Sequence, residues 1–154
     1  MPAVSVITPA YNAAGFIGEM VDSVRAQTFE DWELVIVDDG STDATLELLT
    51  EWGDRDGRIH VLHQGNRGPS AARNLAMRAA RGAFFAFLDS DDTWEAEYLE
   101  RQLAVFHEYP DAHLVTGVAR YRGGPRDGRH CAARRRPRCR AHRRRGRPRT
   151  GREC

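Results

Sequence analysis

Short apolar runs that end abruptly in polar or acidic residues, alternating with helix-like segments, constrain this chain more than any other feature of it. The clearest run is Ala83 to Leu88, AFFAFL, which stops at Asp89, Ser90, Asp91 and Asp92. It is too short to cross a membrane and reads as a strand buried on both faces. Val4 to Thr8 is a second such strand, broken by Pro9 and followed by Ala10, Tyr11 and Asn12. Trp32 to Val37 is another, running into Asp38, Asp39, Gly40, Ser41, Thr42 and Asp43.

Between them the period changes to that of a helix. Phe16, Ile17, Met20, Val21 and Val24 recur at helical spacing around Glu19, Asp22 and Arg25, which predicts a helix over Gly15 to Gln27. A second helix carries Leu46, Leu49 and Trp52, with Ser41 or Thr42 as its cap and Asp43 in its favourable first turn. Ile59 to Leu62 is a third strand in chain order, QGNRGP from Gln64 to Pro69 is a Gly-rich loop, and Ser70 to Arg81 is an Ala-rich helix closed by Gly82. Glu95 to Tyr109 is helical until Pro110, and His113 to Val118 is a candidate fifth strand. This alternation predicts an α/β fold with a parallel sheet and right-handed crossovers, in which ligands bind beyond the carboxyl ends of the strands. Tyr11 with Asn12, Asp38 with Asp39, and the aspartate cluster then face one crevice.

The chemistry expected there follows from charge. Two carboxylates about 4 Å apart repel by roughly 4 kcal/mol at an effective dielectric near 20, so three within four residues call for a positive partner. Oxygen ligands on a short loop suit Mg²⁺ or Mn²⁺, with coordination completed by a phosphate; the alternative is an acidic turn that caps the next helix. Asp38 or Asp39 can accept from a base N–H or a ribose hydroxyl, or serve as a cap. Tyr11 can stack on a base or seal the sheet edge. Arg67 and Arg73 flank the start of the third helix; Arg73 is assigned to the site, against a diphosphate or the acidic loops, and Arg67 to solvent. His60 and His63 read as strand-end surface residues.

Composition divides the chain. Residues 1–119 hold eight arginines against twenty acidic residues, a net of −12, whereas residues 120–154 hold fifteen arginines and two acids, a net of +13. After Tyr121 there is no Val, Ile, Leu, Met, Phe, Trp or Tyr, so this tail is expected to be disordered. Cys131, Cys139 and Cys154 all lie in the tail and form neither a disulfide framework nor a zinc spacing. The chain has no lysine, which excludes a P-loop lysine, a Schiff-base lysine and any other amine nucleophile. No signal peptide or membrane span is indicated, and the expected location is cytoplasmic, free or peripheral to the membrane.

Four stretches together resemble the nucleotide-binding half of a family 2 glycosyltransferase of the GT-A fold: VSVITPAYN from Val4, the strand plus DDGSTD at Val35 to Asp43, NRGPSAARN from Asn66, and FLDSDDTW from Phe87. The resemblance covers Val4 to about Val118, and the last stretch contains a DxD motif. It implies that Pro9, Tyr11 and Asp38 or Asp39 hold the nucleoside, typically uridine, of a nucleotide-diphosphate sugar. It also implies that Asp91 and Asp92, with Asp89 behind them, handle the ribose and the metal bridging the diphosphate. Transfer of the sugar to an acceptor hydroxyl with inversion would need a carboxylate base, which the family carries after the segment equivalent to Val118.

Here that region is replaced by the Arg-rich tail, which reads as translation of a GC-rich gene in a shifted frame or a misplaced gene end. The expected organisation is therefore a nucleotide-sugar-binding domain over residues 1–119 and a tail over residues 120–154, with weak or absent transfer. Two other readings stay open: a non-catalytic nucleotide and metal module, and nucleic-acid binding through the arginines of the tail. The acidity of the body argues against a broader nucleic-acid surface.

Overall fold

Seven consecutive buried residues, Val4–Ala10, form strand β1, and seven more, Trp32–Asp38, form β2 beside it in the computed structural model, which describes residues 1–117. With β3 (Ile59–His63) and β4 (Phe84–Phe87) they make a parallel sheet in the order β3-β2-β1-β4. The connections are α1 (Ile17–Arg25), α2 (Thr45–Arg55) and α3 (Pro69–Ala79), and α4 (Tyr98–Glu108) follows β4. The α/β sheet expected from the alternation is thus present.

The first two crossovers step one way along the sheet and the third steps back, so right-handed connections put α1 and α2 on one face and α3 on the other. Alternation along the strands serves both faces. Ile7, Val35 and Val37 pack against Ala72 and Ala76 of α3, where the small alanines let the helix approach closely. Val6, Leu34 and Ile36 are equally buried on the opposite face. Ile17, Met20, Val21 and Val24 of α1 are fully buried at the i, i+3, i+4, i+7 spacing, each contributing roughly 1.5–3 kcal/mol from area removed from water. Phe16, expected on that apolar face, precedes the helix and is exposed.

Several sequence expectations are corrected. β1 does not stop at Pro9. The Ile7 carbonyl accepts from Leu88 on the β4 side and the Ala10 carbonyl from Asp39 on the β2 side, so alternation turns the missing Pro9 donor toward β4, past that strand's last residue. The AFFAFL run is not buried on both faces: β4 is the last strand of the described sheet, and Phe84, Phe85 and Phe87 are 38–51% exposed while Leu88 is buried. Gly82 does not close α3, which ends at Ala79 with Ala80 already extended. Residues 113–117 form no strand.

By its internal contacts the chain divides after Leu99, within α4. Val118 and the Arg-rich tail, with its three cysteines, lie outside the described residues. No helix among the described residues is long and apolar enough to cross a membrane.

Candidate functional site

Because β4 returns to the far side of β1, the order of the strands reverses between those two, and a crevice opens beyond their carboxyl ends. A cleft of about 400 Å³ lies there. Pro9, Ala10 and Tyr11 enter it from β1, Asp39 from the end of β2, Asn66, Gly68, Pro69 and Arg73 from the loop and first turns of α3, and Asp89, Ser90 and Asp91 from the loop after β4. Six of the predicted site residues, Pro9, Tyr11, Asp39, Arg73, Asp89 and Asp91, therefore line one cavity, whereas Asp38 and Asp92 do not.

The loops after β1 and β2 hold each other. The Asn12 N–H donates to Ser41 Oγ at 2.9 Å, and Asn12 Oδ1 accepts from the Thr42 N–H at 2.8 Å. Asn12 adopts a φ of +48°, a left-handed conformation that Asn tolerates better than most residues. Thr45 Oγ1 accepts from Ala13 N–H at 2.8 Å and donates to Asp43 Oδ1, whose other oxygen accepts from Ala14 N–H. Ser41 and Thr42 thus tie the two loops together and do not cap α2, whose first turn is met instead by Asp43 through the Thr45 N–H. Those hydrogen bonds also hold the Asp43 carboxyl below the usual range.

Asp38 and Asp39 are neighbours with opposite environments, because successive strand residues point to opposite faces. Asp38 is fully buried; its Oδ2 accepts from His63 Nδ1 at 2.9 Å and from Ser41 N–H at 3.2 Å. His63 is therefore a hydrogen-bond partner of the strand next to it and not merely a surface residue. Asp39 turns into the cleft and holds the Gly-rich loop: Oδ1 accepts from Gln64 Nε2 at 2.7 Å and Arg67 N–H at 2.9 Å, and Oδ2 from Gly68 N–H at 2.7 Å. Burial raises the Asp39 pKa, but the Gln64, Arg67 and Gly68 donors outweigh it and the net shift is downward. Gly68, at φ +86°, lets the chain turn into α3, and Pro69 occupies the first helical turn where no N–H is needed.

Across the cleft Arg73 Nη2 donates to Asp89 Oδ1. The Asp92 carboxyl is pushed upward, first by partial desolvation and then by the charges of Asp91 and Asp89. Among the described residues no three His, Cys, Asp or Glu side chains converge as a metal centre. Asp91 and Asp92, adjacent in the loop after β4, nevertheless suit by their chemistry a hard divalent ion of the Mg²⁺ type, which uses one or two carboxylates and takes its remaining ligands from phosphates and water.

Downstream, buried Gln27 at the end of α1 holds the segment after the acidic loop. Its Nε2 donates to the Ser23 and Glu95 carbonyls and its Oε1 accepts from Leu99 N–H at 3.0 Å. Sequence reasoning did not select Gln27, Asn66, Gly68 or Ser90. Asn66 and Gly68 sat inside a recognised stretch and Ser90 inside the aspartate run, but nothing local marks Gln27.

The model of the family described as glycosyl transferase family 2 matches residues 5–152. The chain belongs to this family. It is 47% identical over 119 residues to the putative teichuronic acid biosynthesis glycosyltransferase TuaG of Bacillus subtilis, an alignment covering 77% of this chain and 47% of TuaG. Among solved structures it resembles S. aureus TarS 1–349 in complex with UDP-GlcNAc, with a TM-score of 0.66, 36% identity, and coverage of 71% of this chain and 32% of that one. It also resembles the mannosyltransferase PcManGT of Pyrobaculum calidifontis in complex with GDP-Man and Mn²⁺, with a TM-score of 0.65, 29% identity, and coverage of 72% and 34%. The parallel sheet with its flanking helices is the GT-A arrangement. This family 2 chain spans less than half the length of these proteins.

Proposed function

We propose that this family 2 chain binds a nucleotide-diphosphate sugar, a UDP-sugar first among the candidates, in the cleft at the ends of β1, β2 and β4. One observation carries the reading: an aromatic ring, a buried carboxylate, a guanidinium and an acidic loop, drawn from three strand ends and one helix start, line the same cavity. The UDP and UDP-GlcNAc complexes of S. aureus TarS and the GDP-Man and Mn²⁺ complex of PcManGT support it.

In this reading Tyr11, half exposed, offers its ring face to the base above Pro9. Asp39 Oδ2 accepts a single protein hydrogen bond and keeps a lone pair for a base N–H, while buried Asp38 braces the strand end behind it. Asp89 and Asp91 take ribose hydroxyls, and Arg73 exchanges its Asp89 partner for the diphosphate. Asp91 and Asp92 would hold Mg²⁺ or Mn²⁺, which when bound offsets the charge that develops on the departing diphosphate. In a complete form the sugar passes to an acceptor hydroxyl with inversion.

Calorimetric titration of UDP into the 154-residue chain tests this directly. Saturable heat with Mn²⁺ that EDTA abolishes is the expected result, with Asp92→Asn losing the metal dependence at unchanged circular dichroism. Negligible heat with and without Mn²⁺ would overturn it.

A further inference from the structure

The end of the sheet opposite the cleft holds a buried ionic cluster that nucleotide binding does not use. Glu33, the second residue of β2, is 3% exposed. Its Oε1 accepts from Ser5 Oγ of β1 at 2.6 Å and from the Arg81 N–H at 2.6 Å. Its Oε2 accepts from Arg81 Nε at 3.2 Å, and the same guanidinium donates through Nη2 to His60 Nε2 of β3 at 2.6 Å. Ser5 Oγ in turn accepts from the Gly82 N–H at 2.8 Å. One carboxylate therefore joins β1, β2 and the turn that leads into β4, and Arg81 carries the link on to β3. Burying a charge costs several kcal/mol unless it is paired and hydrogen-bonded, and here both oxygens are engaged.

The fit at the turn is close. A Cβ on Gly82 would lie 2.5 Å from Ser5 N and 2.7 Å from Ser5 Oγ, so only glycine lets the chain pass β1 at this height. Downstream, β4 is the strand with the shortest described ladder: four residues pair with β1, whereas β1 and β2 pair over seven. A two-residue slip on such a ladder would move its end by about 6.6 Å. Asp89 lies two residues beyond Phe87, the last residue of β4, so the height of the acidic loop relative to Pro9 and Tyr11 follows the register of this short strand.

We propose that Glu33, acting through Ser5 and the Arg81–Gly82 turn, is a positioning residue that sets β4 on β1 and thereby holds Asp89–Asp92 at the height of the cleft. Its ligand-binding consequence rests on the nucleotide reading above; its effect on the loop does not. Asp39 directly follows β2, which is braced on both sides by β1 and β3, so its end of the cleft is not governed by the same contacts.

Amide hydrogen exchange and calorimetry on the full chain test the proposal with Glu33→Ala, Gly82→Ala and Glu33→Gln. Exchange over Phe84–Leu88, the segment paired with β1, should rise by about tenfold or more in the first two variants, with that at Asp38–Asp43 unchanged. UDP affinity in Mn²⁺ should fall between about 10- and 100-fold while uridine affinity stays within about twofold. Glu33→Gln should retain most of both, since an amide oxygen can still accept from Ser5 Oγ and the Arg81 N–H. Wild-type exchange over Phe84–Leu88 in both Glu33→Ala and Gly82→Ala, or a rise spread evenly over the sheet, would overturn the proposal. A wild-type chain that ignores UDP would sink the nucleotide reading alone, and the exchange data would still decide the role of Glu33.

Discussion

Asp56, in the turn between α2 and β3, forms a two-pronged pair with Arg58, at 3.1 Å to Nε and 2.8 Å to Nη2, and lies 3.7 Å from Arg25 Nε. The Arg58 guanidinium also sits over the Trp32 ring, 3.8 Å from its centroid, so the turn is bound to the first residue of β2. Hydrogen bonding to Arg58 outweighs partial burial and holds the Asp56 carboxyl at about 2, from an ordinary 3.8. The folded value is the lower one, so the stabilisation is fully present above the unfolded pKa near 4 and disappears as pH falls through about 2. Discounted for the exposure of Arg58, it amounts to about 1–2 kcal/mol. Asp56→Asn should lower stability in urea by that amount at pH 7 and flatten the decline between pH 4 and pH 2. A variant that matches the wild type at both ends of that range would show the pair to be inert. The sequence shows Asp56 only as one residue of the polar stretch Asp54 to Gly57, because its pairing with Arg58 depends on how the turn folds.

At the scale of elements, strands and helices were legible wherever the period was clean, and their surroundings were not. Ile17, Met20, Val21 and Val24 face the core as their spacing requires. AFFAFL was misjudged because an unbroken apolar run shows strand propensity without showing how far the finished structure covers the strand. Gln27 illustrates the opposite failure: an unremarkable polar residue at a helix end carries three hydrogen bonds that clamp Glu95 and Leu99 beside α1. Gln27→Ala would strip the buried Leu99 N–H of its partner and should cost about 1–3 kcal/mol in urea denaturation. A loss below the error of that measurement would show that water replaces the amide at no cost.

For the molecule as a whole, the distribution of carboxylates around the cleft bears on catalysis. Asp39 is engaged by the Gly-rich loop, Asp38 by His63 and Ser41, and Asp89 by Arg73 or, in the nucleotide reading, by the ribose, to which Asp91 is assigned along with the metal that it shares with Asp92. None of these remains to take a proton from an acceptor hydroxyl, a role that contributes about 100- to 10,000-fold in rate. The chain also spans less than half the length of its relatives. Sugar transfer from a labelled UDP-sugar by the 154-residue chain should therefore run about 100-fold or more below that of a chain extended to family length. Equal rates in the two would show that the cleft described here already contains its base.

Local chemistry determined the order of elements and the polar sets at the strand ends, because side-chain period, turn residues and clustered charge act over a few neighbours. It also brought Tyr11, Arg73 and the aspartates under suspicion before any fold was known. Tertiary structure alone decided that β1 stands between β2 and β4, which is what gathers Tyr11, Asp39, Arg73, Asp89 and Asp91 around one cleft. It likewise separated Asp39, facing the cleft, from Asp38, buried behind it, since adjacent identical residues differ only in the face to which the strand turns them. Contacts such as Glu33 with Ser5 and Arg81 join residues 28 and 48 positions apart, and no local pattern encodes a partner at that distance.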